Sequence, residues 1–184
     1  MRVISGIAGR RKLVSPDGMD IRPTTDRIKE TLFNILSPDI YGSDFLDLFA
    51  GSGGIGIEAL SRGASSAVFA DNGIKAINCI KKNLEITGLG ENATVFRMEA
   101  GAAVARLFTS KKSFDIIFMD PPYGKELEKD VIMDLDRYRI LKEDGVIIVE
   151  ASADTSFDYI EDTCFQIVRE KKYGSNKHLF IAYK

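Results

Sequence analysis

Apolar residues along this chain follow two different spacings, and the two spacings alternate from one segment to the next. Short, nearly continuous apolar runs occupy residues 45–49, 67–70, 93–98, 114–119 and 145–150. Such runs are typical of strands buried on both faces of a parallel sheet. Apolar residues at helical spacing occupy residues 28–36, 56–60, 74–84, 102–108 and 127–138. This alternation predicts an α/β fold with a mostly parallel sheet.

The carboxyl-terminal end of the chain breaks the alternation. Residues 164–168 and 179–183 have the pattern of strands, and the polar segment 171–177 joins them without a helix. We therefore expect an antiparallel pair that closes the sheet. This is not the arrangement expected of two mononucleotide-binding halves.

The amino-terminal end also differs from the rest. Residues 2–15 alternate weakly and predict a short basic hairpin outside the main sheet. The helix that follows is expected to stop at Pro38. Arg27 and Lys29 fall off its apolar stripe, so we expect them to reach either a ligand or water.

Length and composition indicate an ordinary globular protein. The 184 residues suit one domain, with residues 1–38 as an amino-terminal extension and residues 39–184 as the core. No apolar run approaches the ~20 residues of a membrane span, and no signal-peptide pattern follows Met1, so we expect a cytoplasmic protein without membrane contact. Cys79, Cys164 and the lone His178 offer neither a disulfide framework nor a metal cluster, and both cysteines are interpreted as core residues.

Charge is unevenly distributed. The net charge is −2, but residues 1–15 carry four cations and no acid, and residues 169–184 carry five cations against Glu170 alone. Each basic end is either a solvated face or part of a phosphate-binding surface.

A glycine-rich turn follows the first core strand. Gly51-x-Gly53-x-x-Gly56 satisfies the dinucleotide-binding pattern, and Asp71 lies twenty residues past Gly51, at the end of the next strand. Backbone N–H groups of such a turn can approach a ligand, and the acid can accept both hydroxyls of a ribose. The turn therefore predicts an adenosine-containing cofactor. A nicotinamide or flavin enzyme fits these residues too, and so does a tight turn with a surface acid.

The segment Asp120-Pro121-Pro122-Tyr123 follows the apolar run 114–119. Asp120 is therefore expected at the carboxyl edge of the sheet, where open α/β sheets bind ligands. A carboxylate, a stiff carbonyl and an aromatic face on one loop suit a planar nucleobase whose exocyclic amine donates to two oxygens. The alternative is a proline-rich turn with a capping acid. Glu99-Ala100 follows the third strand and shares this edge, where an acid could bond an adenine amino group.

Two motifs together resemble a known enzyme class. Residues 47–53 with residues 120–123 are similar to class I S-adenosylmethionine-dependent methyltransferases that act on exocyclic amines of nucleobases. The stretch 22–30 before Leu32 to Leu36, the segment 56–63 and Tyr173-Gly174 resemble the RsmD family. The resemblance implies transfer of a methyl group from S-adenosylmethionine to N2 of guanine 966 in 16S ribosomal RNA. It also implies a Rossmann-like fold whose mostly parallel seven-stranded sheet ends in an antiparallel hairpin, with an amino-terminal β-hairpin and helix.

The resemblance also assigns site residues. It implies that Gly51, Ser52 and Gly53 lie along the methionine part of the cofactor, Asp71 at the ribose, Glu99 and Ala100 at the adenine, and Asp120, Pro121, Pro122 and Tyr123 at the target base. To the cofactor site we also assign Thr25, Asp47, Phe49 and Asn72. To the RNA surface we assign Arg2, Arg10, Arg11, Lys12, Arg22 and Arg27.

Four positions depart from the family pattern. The family commonly has Glu where this chain has Asp71, a charged pair where it has Asn72-Gly73, and Asp or Asn where it has Glu99. The expected partner is 16S rRNA within the small ribosomal subunit, and the expected protein is a monomer without a metal.

Three other functions are compatible with parts of the sequence. An oxidoreductase fits the glycine turn and Asp71 but leaves Asp120 to Tyr123 without a role. A non-catalytic RNA-binding module fits the basic ends but leaves the glycine turn unexplained. An adenine-N6 DNA methyltransferase uses similar chemistry, but such enzymes usually carry a separate target-recognition domain, for which 184 residues leave no room.

Overall fold

Seven strands form one sheet in the order β3-β2-β1-β4-β5-β7-β6. The computed structural model describes residues 1–15, 26–122, 124 and 126–184. The strands are β1 (Asp44–Leu48), β2 (Ser66–Asp71), β3 (Ala93–Arg97), β4 (Phe114–Met119), β5 (Leu141–Ser152), β6 (Phe165–Tyr173) and β7 (Asn176–Tyr183). Strands β1 to β5 pair in parallel, whereas β7 runs antiparallel to both β5 and β6. The predicted parallel sheet with an antiparallel final pair is therefore confirmed.

Helices cover both faces of this sheet. They are α1 (Asp26–Ile35), α2 (Ser37–Ile40), α3 (Gly54–Ser61), α4 (Ile74–Thr87), α5 (Ala100–Thr109) and α6 (Leu127–Tyr138), with 3-10 turns at Gly90–Asn92 and Asp158–Asp162. Helices α1 to α4 contribute to one buried cluster and α5 and α6 to the other. Strand neighbours divide between the clusters, as Ile116 and Ile117 do, because successive side chains of a strand point to opposite faces. Among the described residues, no helix is both long and apolar enough to cross a membrane.

Several boundaries differ from the sequence-based expectation. Strand β5 is longer than the predicted 145–150, and the final turn is confined to residues 174–175 rather than 171–177. Strand β6 contains most of the predicted strand 164–168 and continues along the edge of the sheet to Tyr173. Most of its residues are exposed, so the polar composition of residues 169–173 hides this continuation from a search for apolar runs. Pro38 does not end α1; it lies in the first turn of α2, where its missing N–H costs no hydrogen bond.

The cysteines also differ from each other. Cys79 is buried, and its thiol donates to the carbonyl of Val14 at 3.2 Å. Cys164 is only partly buried, and it packs against the edge of a core cluster rather than inside it. It immediately precedes β6, the edge strand, where the sheet has no further neighbour to cover it.

The amino-terminal segment, residues 1–15, forms a narrow antiparallel turn that packs on α3. Arg2 and Lys12 make a single antiparallel bridge, and the Val3 N–H donates to the Arg11 carbonyl at 2.9 Å. The Ile7 N–H donates to the Ser61 carbonyl at 2.8 Å. The predicted hairpin is therefore present only as one bridge, because most of its backbone bonds with α3 or with its own turn.

A buried carboxylate joins this segment to two helices. Glu58 of α3 accepts the Ile4 and Ser5 N–H groups at 2.7 and 3.0 Å. The same carboxylate lies 3.2 Å from the Lys29 ammonium and 2.8 Å from the Arg62 guanidinium. Glu58 and Lys29 are both fully buried. Desolvation lowers the pKa of Lys29, and the Glu58 charge opposes that change.

The expectation that Lys29 reaches a ligand or water is therefore wrong. Its ammonium also donates to the Arg2 carbonyl at 2.5 Å. Helical periodicity identifies only the face of α1 that packs on the sheet; the amino-terminal segment covers a second face, which no periodicity reports.

Glu58→Gln should lower the free energy of unfolding by about 3–5 kcal/mol, because it leaves the Lys29 charge buried without its counter-charge. Urea unfolding of both proteins would measure the difference. Glu85→Gln, at an exposed position of α4, is the matched control and should stay within about 0.5 kcal/mol of the parent protein. Equal effects of the two substitutions would contradict this account.

Candidate active site

The carboxyl ends of the parallel strands bring the predicted site residues to one edge of the sheet. Phe49 to Gly53 follow β1, Asp71 ends β2, Glu99 lies two residues past β3, and Asp120 directly follows β4. The register pairs Leu48 with Met119, and Met119 with Val149 of β5. Asp120 therefore lies between the start of the glycine loop, residues 49–53, and Glu150.

The glycine loop has a backbone that few other residues adopt. Gly51 has φ +56°, and among the described residues a Cβ there would have only the Phe49 carbonyl within 4.0 Å, so that part of the chain leaves this side of the loop open. Phe49 itself has φ +60°, which is strained for an aromatic residue. A Cβ on Gly56 would approach the Phe69 ring to 2.3 Å, so glycine is needed where α3 packs on β2.

Asp47 bonds to the first turn of the helix that follows the glycine loop. It is 2% exposed, and its carboxylate accepts the Gly56 N–H at 2.9 Å, in the first turn of α3. Burial raises the pKa of Asp47 to about 7; the Asp71 charge adds to the effect and the Gly56 hydrogen bond opposes it. The Gly56 hydrogen bond lets Asp47 shape the glycine loop, and its assignment to the cofactor site stays a prediction.

Asp71 joins the two loops next to it. One carboxylate oxygen accepts the Gly51 N–H at 2.9 Å, and the other accepts the Gly73 N–H at 2.8 Å. Because a carboxylate oxygen can accept two hydrogen bonds, each still has capacity for a hydroxyl. The shorter acid at this position is therefore held at the loop, with acceptor capacity left over.

Asn72 and Glu99 are brought together. The Asn72 amide donates to the Glu99 carboxylate at 2.7 Å, and both side chains are exposed. Ala100 is buried as the first residue of α5. The pair thus forms an exposed polar rim beside Asp71, with a second Glu99 oxygen to accept a further donor.

Asp120 is chemically distinct among the acids of this edge. Asp47, Asp71 and Glu150 each accept hydrogen bonds, whereas Asp120 makes none to another described residue. Burial raises its pKa well above the ordinary range, and the charges of Glu150 and then Asp47 add to this effect. Pro121 is buried and Pro122 exposed. Tyr123 lies outside the described residues, as do Thr25 and Arg22.

The predicted RNA-binding cations are not equivalent. Arg10, Lys12 and Arg27 are exposed. Arg2 is also exposed but lies 3.0 Å from the Asp26 carboxylate. Arg11 donates to the Ile86 carbonyl at 2.8 Å, near the end of α4, so part of its donor capacity is used inside the protein.

Sequence patterns missed two polar groups behind the site. Asn83 of α4 is fully buried and donates to the Ser52 carbonyl at 2.9 Å and to the Val14 carbonyl at 3.0 Å. Glu150 and His178 form a buried pair at 3.1 Å. Asn83 could have been found as a polar residue on the apolar stripe of its helix. Glu150 could have been found as an acid at the end of an apolar run.

Comparison with known proteins shows which family this chain belongs to. The family model described as Conserved hypothetical protein 95 matches residues 1–182. The Escherichia coli (strain K12) protein named Ribosomal RNA small subunit methyltransferase D is 36% identical over 184 residues, which cover 100% of this chain and 88% of that protein. The chain belongs to the RsmD family.

Two further comparisons agree with this membership. The Bacillus subtilis protein YlbH is 41% identical over 176 residues, covering 95% of this chain and 94% of that protein. The solved structure of yhhF from Escherichia coli matches with a TM-score of 0.83 at 33% identity, over 100% of this chain and 98% of that one. The predicted RsmD-family membership and the class I Rossmann-like fold are confirmed.

The buried position of Asp47 predicts a pH-dependent stability. Because the folded protein holds this proton up to about pH 7 and the unfolded chain releases it near pH 4, Asp47 costs stability as pH rises through this window. Asp47→Asn removes that dependence. One pKa unit corresponds to about 1.4 kcal/mol. As pH rises from 4 to 7, the free energy of unfolding of the variant should therefore increase by up to about 4 kcal/mol relative to that of the parent protein.

Urea unfolding at several pH values would measure this gain. Asp144→Asn, at an exposed position of β5, is the control and should track the parent protein at every pH. A constant difference between Asp47→Asn and the parent protein would show that folding does not raise the pKa of Asp47.

Proposed function

We propose that this protein transfers a methyl group from S-adenosylmethionine to the exocyclic N2 amine of a guanine in 16S ribosomal RNA, at position 966. The observation that supports this most is the placement of Asp120 and Pro121 beside the glycine loop, on the edge that also carries Asp71. A nucleoside cofactor and an amino-bearing base would then meet at one place.

The residues of the glycine loop and its neighbours fit the cofactor. The open side of Gly51 admits close approach, Asp71 retains acceptor capacity for ribose hydroxyls, and Glu99 retains an oxygen for the adenine amine. When bound, the cofactor supplies an electrophilic methyl group on a sulfonium. The chain positions that group and excludes water from it.

Asp120 and Pro121 would prepare the target amine. The lone pair of a guanine amine is delocalised into the ring, so the nitrogen must become tetrahedral before it attacks. Acceptance of its two hydrogens by the Asp120 carboxylate and the Pro121 carbonyl favours that geometry and stabilises the positive charge that develops on nitrogen. Tyr123 is proposed to stack on the base. Only ionised Asp120 can accept in this way, so its raised pKa predicts that turnover increases with pH.

The proposed substrate follows from the family and from the exposed cations. Relatives are named ribosomal RNA small subunit methyltransferase D, and Arg10, Lys12 and Arg27 offer phosphate contacts on the amino-terminal side. We extend the proposal to a single methyltransferase domain that acts as a cytoplasmic monomer on the small ribosomal subunit.

Identification of the methylated base tests the function. Recombinant protein, labelled S-adenosylmethionine and small ribosomal subunits from cells lacking the endogenous enzyme should yield labelled N2-methylguanosine, and double-stranded DNA should yield none. Asp120→Ala is the control and should lose roughly 10²–10³ in rate, by analogy with removal of one oxyanion-hole donor. Label in N6-methyladenine would overturn the guanine assignment alone, and binding of S-adenosylmethionine without label in any nucleic acid would overturn the whole proposal.

Neutralising Arg10 and Lys12 together should raise the RNA concentration needed for half-maximal rate. The slope of log binding constant against log salt concentration should also become shallower. The change should be about 0.7–0.9 for each phosphate that the protein no longer neutralises, because fewer counterions are released. The matched control is Lys111→Ala with Lys112→Ala, two exposed cations that follow α5 at the opposite edge of the sheet. If both double variants have the parent slope, the amino-terminal cations form only a solvated face.

A further inference from the structure

Behind Asp120 lies a buried acid and imidazole pair with no assigned role. Glu150 of β5 is 4% exposed and His178 of β7 is fully buried. The two residues are directly opposite in the antiparallel register, and the His178 Nε2 lies 3.1 Å from a Glu150 oxygen. The other Glu150 oxygen accepts the Asn176 amide at 3.3 Å. A charged side chain is rarely fully buried without a specific partner, so this pair needs an explanation.

The strand register places this pair next to Asp120 on one face of the sheet. Met119 at the end of β4 pairs with Val149 of β5, so Asp120, which directly follows β4, lies next to Glu150, and their charges interact. Neighbouring strands are about 4.8 Å apart. Phe118 and His178 share this face, as the edge contact between their rings at 6.2 Å shows. The carboxylates of Asp120 and Glu150 thus point into the same region.

The surroundings of His178 indicate which nitrogen holds its hydrogen. Its Nδ1 is buried and has no hydrogen-bond partner among the described residues. The Tyr173 ring packs against the imidazole with a centroid distance of 5.0 Å. A neutral imidazole carries one N–H, and within the described part of the chain only Nε2 faces an acceptor, so the hydrogen belongs on Nε2 and is donated to Glu150. The pair then carries one negative charge beside Asp120.

Methylation of an amine releases a proton that must leave the nitrogen. The nitrogen lone pair forms the new N–C bond, the C–S bonding pair remains on sulfur, and one N–H proton departs. We propose, on the basis of the function proposed above, that the buried Glu150–His178 pair is a positioning device whose negative charge makes the Asp120 carboxylate the acceptor of this proton. Asp120 then returns the proton to solvent when the product leaves.

Other charged groups bear on the same carboxylate. Charged and titratable groups face this cluster from five strands. They are Asp47 on β1, Asp71 on β2, Glu150 on β5, His178 on β7, and Arg169, Lys171 and Tyr173 on β6. The pKa of Tyr173 is raised, first by burial and further by the Glu150 charge, while Arg169 opposes this change. Glu150 is the nearest like charge to Asp120 by strand register, which makes it the group to test. Tyr123 and Lys125, on the same loop as Asp120, lie outside the described residues.

The test compares the pH dependence of the single-turnover rate, with saturating S-adenosylmethionine and RNA, in the parent protein and in Glu150→Gln. Without the Glu150 charge, the acidic limb of the profile should move to lower pH by about one unit or more, because a nearby like charge no longer opposes ionisation of Asp120. Glu143→Gln, an exposed position at the other end of β5, is the control and should leave the midpoint unchanged. An unmoved midpoint in Glu150→Gln would overturn the inference.

Glu150→Asp provides the second variant if Glu150→Gln does not fold. It keeps the negative charge, so the midpoint of its pH profile should stay within a few tenths of a pH unit of the parent value, even if its plateau rate falls. A downward shift of a full pH unit would overturn the inference. Asp120→Ala separates the two proposals. Near-parent activity in Asp120→Ala would remove Asp120 from the proposed function, whereas a loss of roughly 100-fold with an unmoved Glu150→Gln midpoint would remove only the positioning role of Glu150.

Discussion

Parallel strands end at a common edge, and this constraint assembles the candidate site. The glycine loop, Asp71, Glu99 and Asp120 are separated by up to about seventy residues, yet each ends one of the parallel strands or follows it within two residues. No side chain has to reach far for these groups to meet, because the backbone ladder sets their spacing. The antiparallel β7 then adds His178 to the same edge, behind Glu150.

Gathering so many acids at one edge has an electrostatic cost that the structure offsets unevenly. Asp71 is compensated by two backbone N–H groups, and Glu150 by an imidazole and an amide. Asp47 has one backbone donor, whereas Asp120 has none among the described residues. The acid left without a donor is the one proposed to react, since its acceptor capacity is then available to a substrate amine. Acids whose pKa values are raised by burial and by neighbouring like charges are typical of functional sites.

Buried side chains hold the amino-terminal segment on the rest of the molecule, and two of them, Glu58 and Asn83, link it to the helices around the site. Glu58 accepts its backbone N–H groups, while the Asn83 side chain bonds both Val14 and the carbonyl of Ser52 in the glycine loop. The segment proposed to contact RNA and the loop proposed to contact the cofactor therefore share one buried amide. A displacement of either one would strain the other, because a buried amide that loses a partner costs about 1–3 kcal/mol.

The sequence by itself determined the fold class, the alternation of strands and helices, and the identity of the residues at the strand ends. Those features depend on local periodicity and on glycine and proline chemistry, which neighbouring residues encode. Tertiary structure alone decided that Lys29 is buried, that β6 continues through polar residues to Tyr173, and that Glu150 pairs with His178. In each case the deciding partner is distant in sequence, so no local pattern contains it. A charged residue is stable in the interior only when such a partner reaches it, and folding determines which partner does.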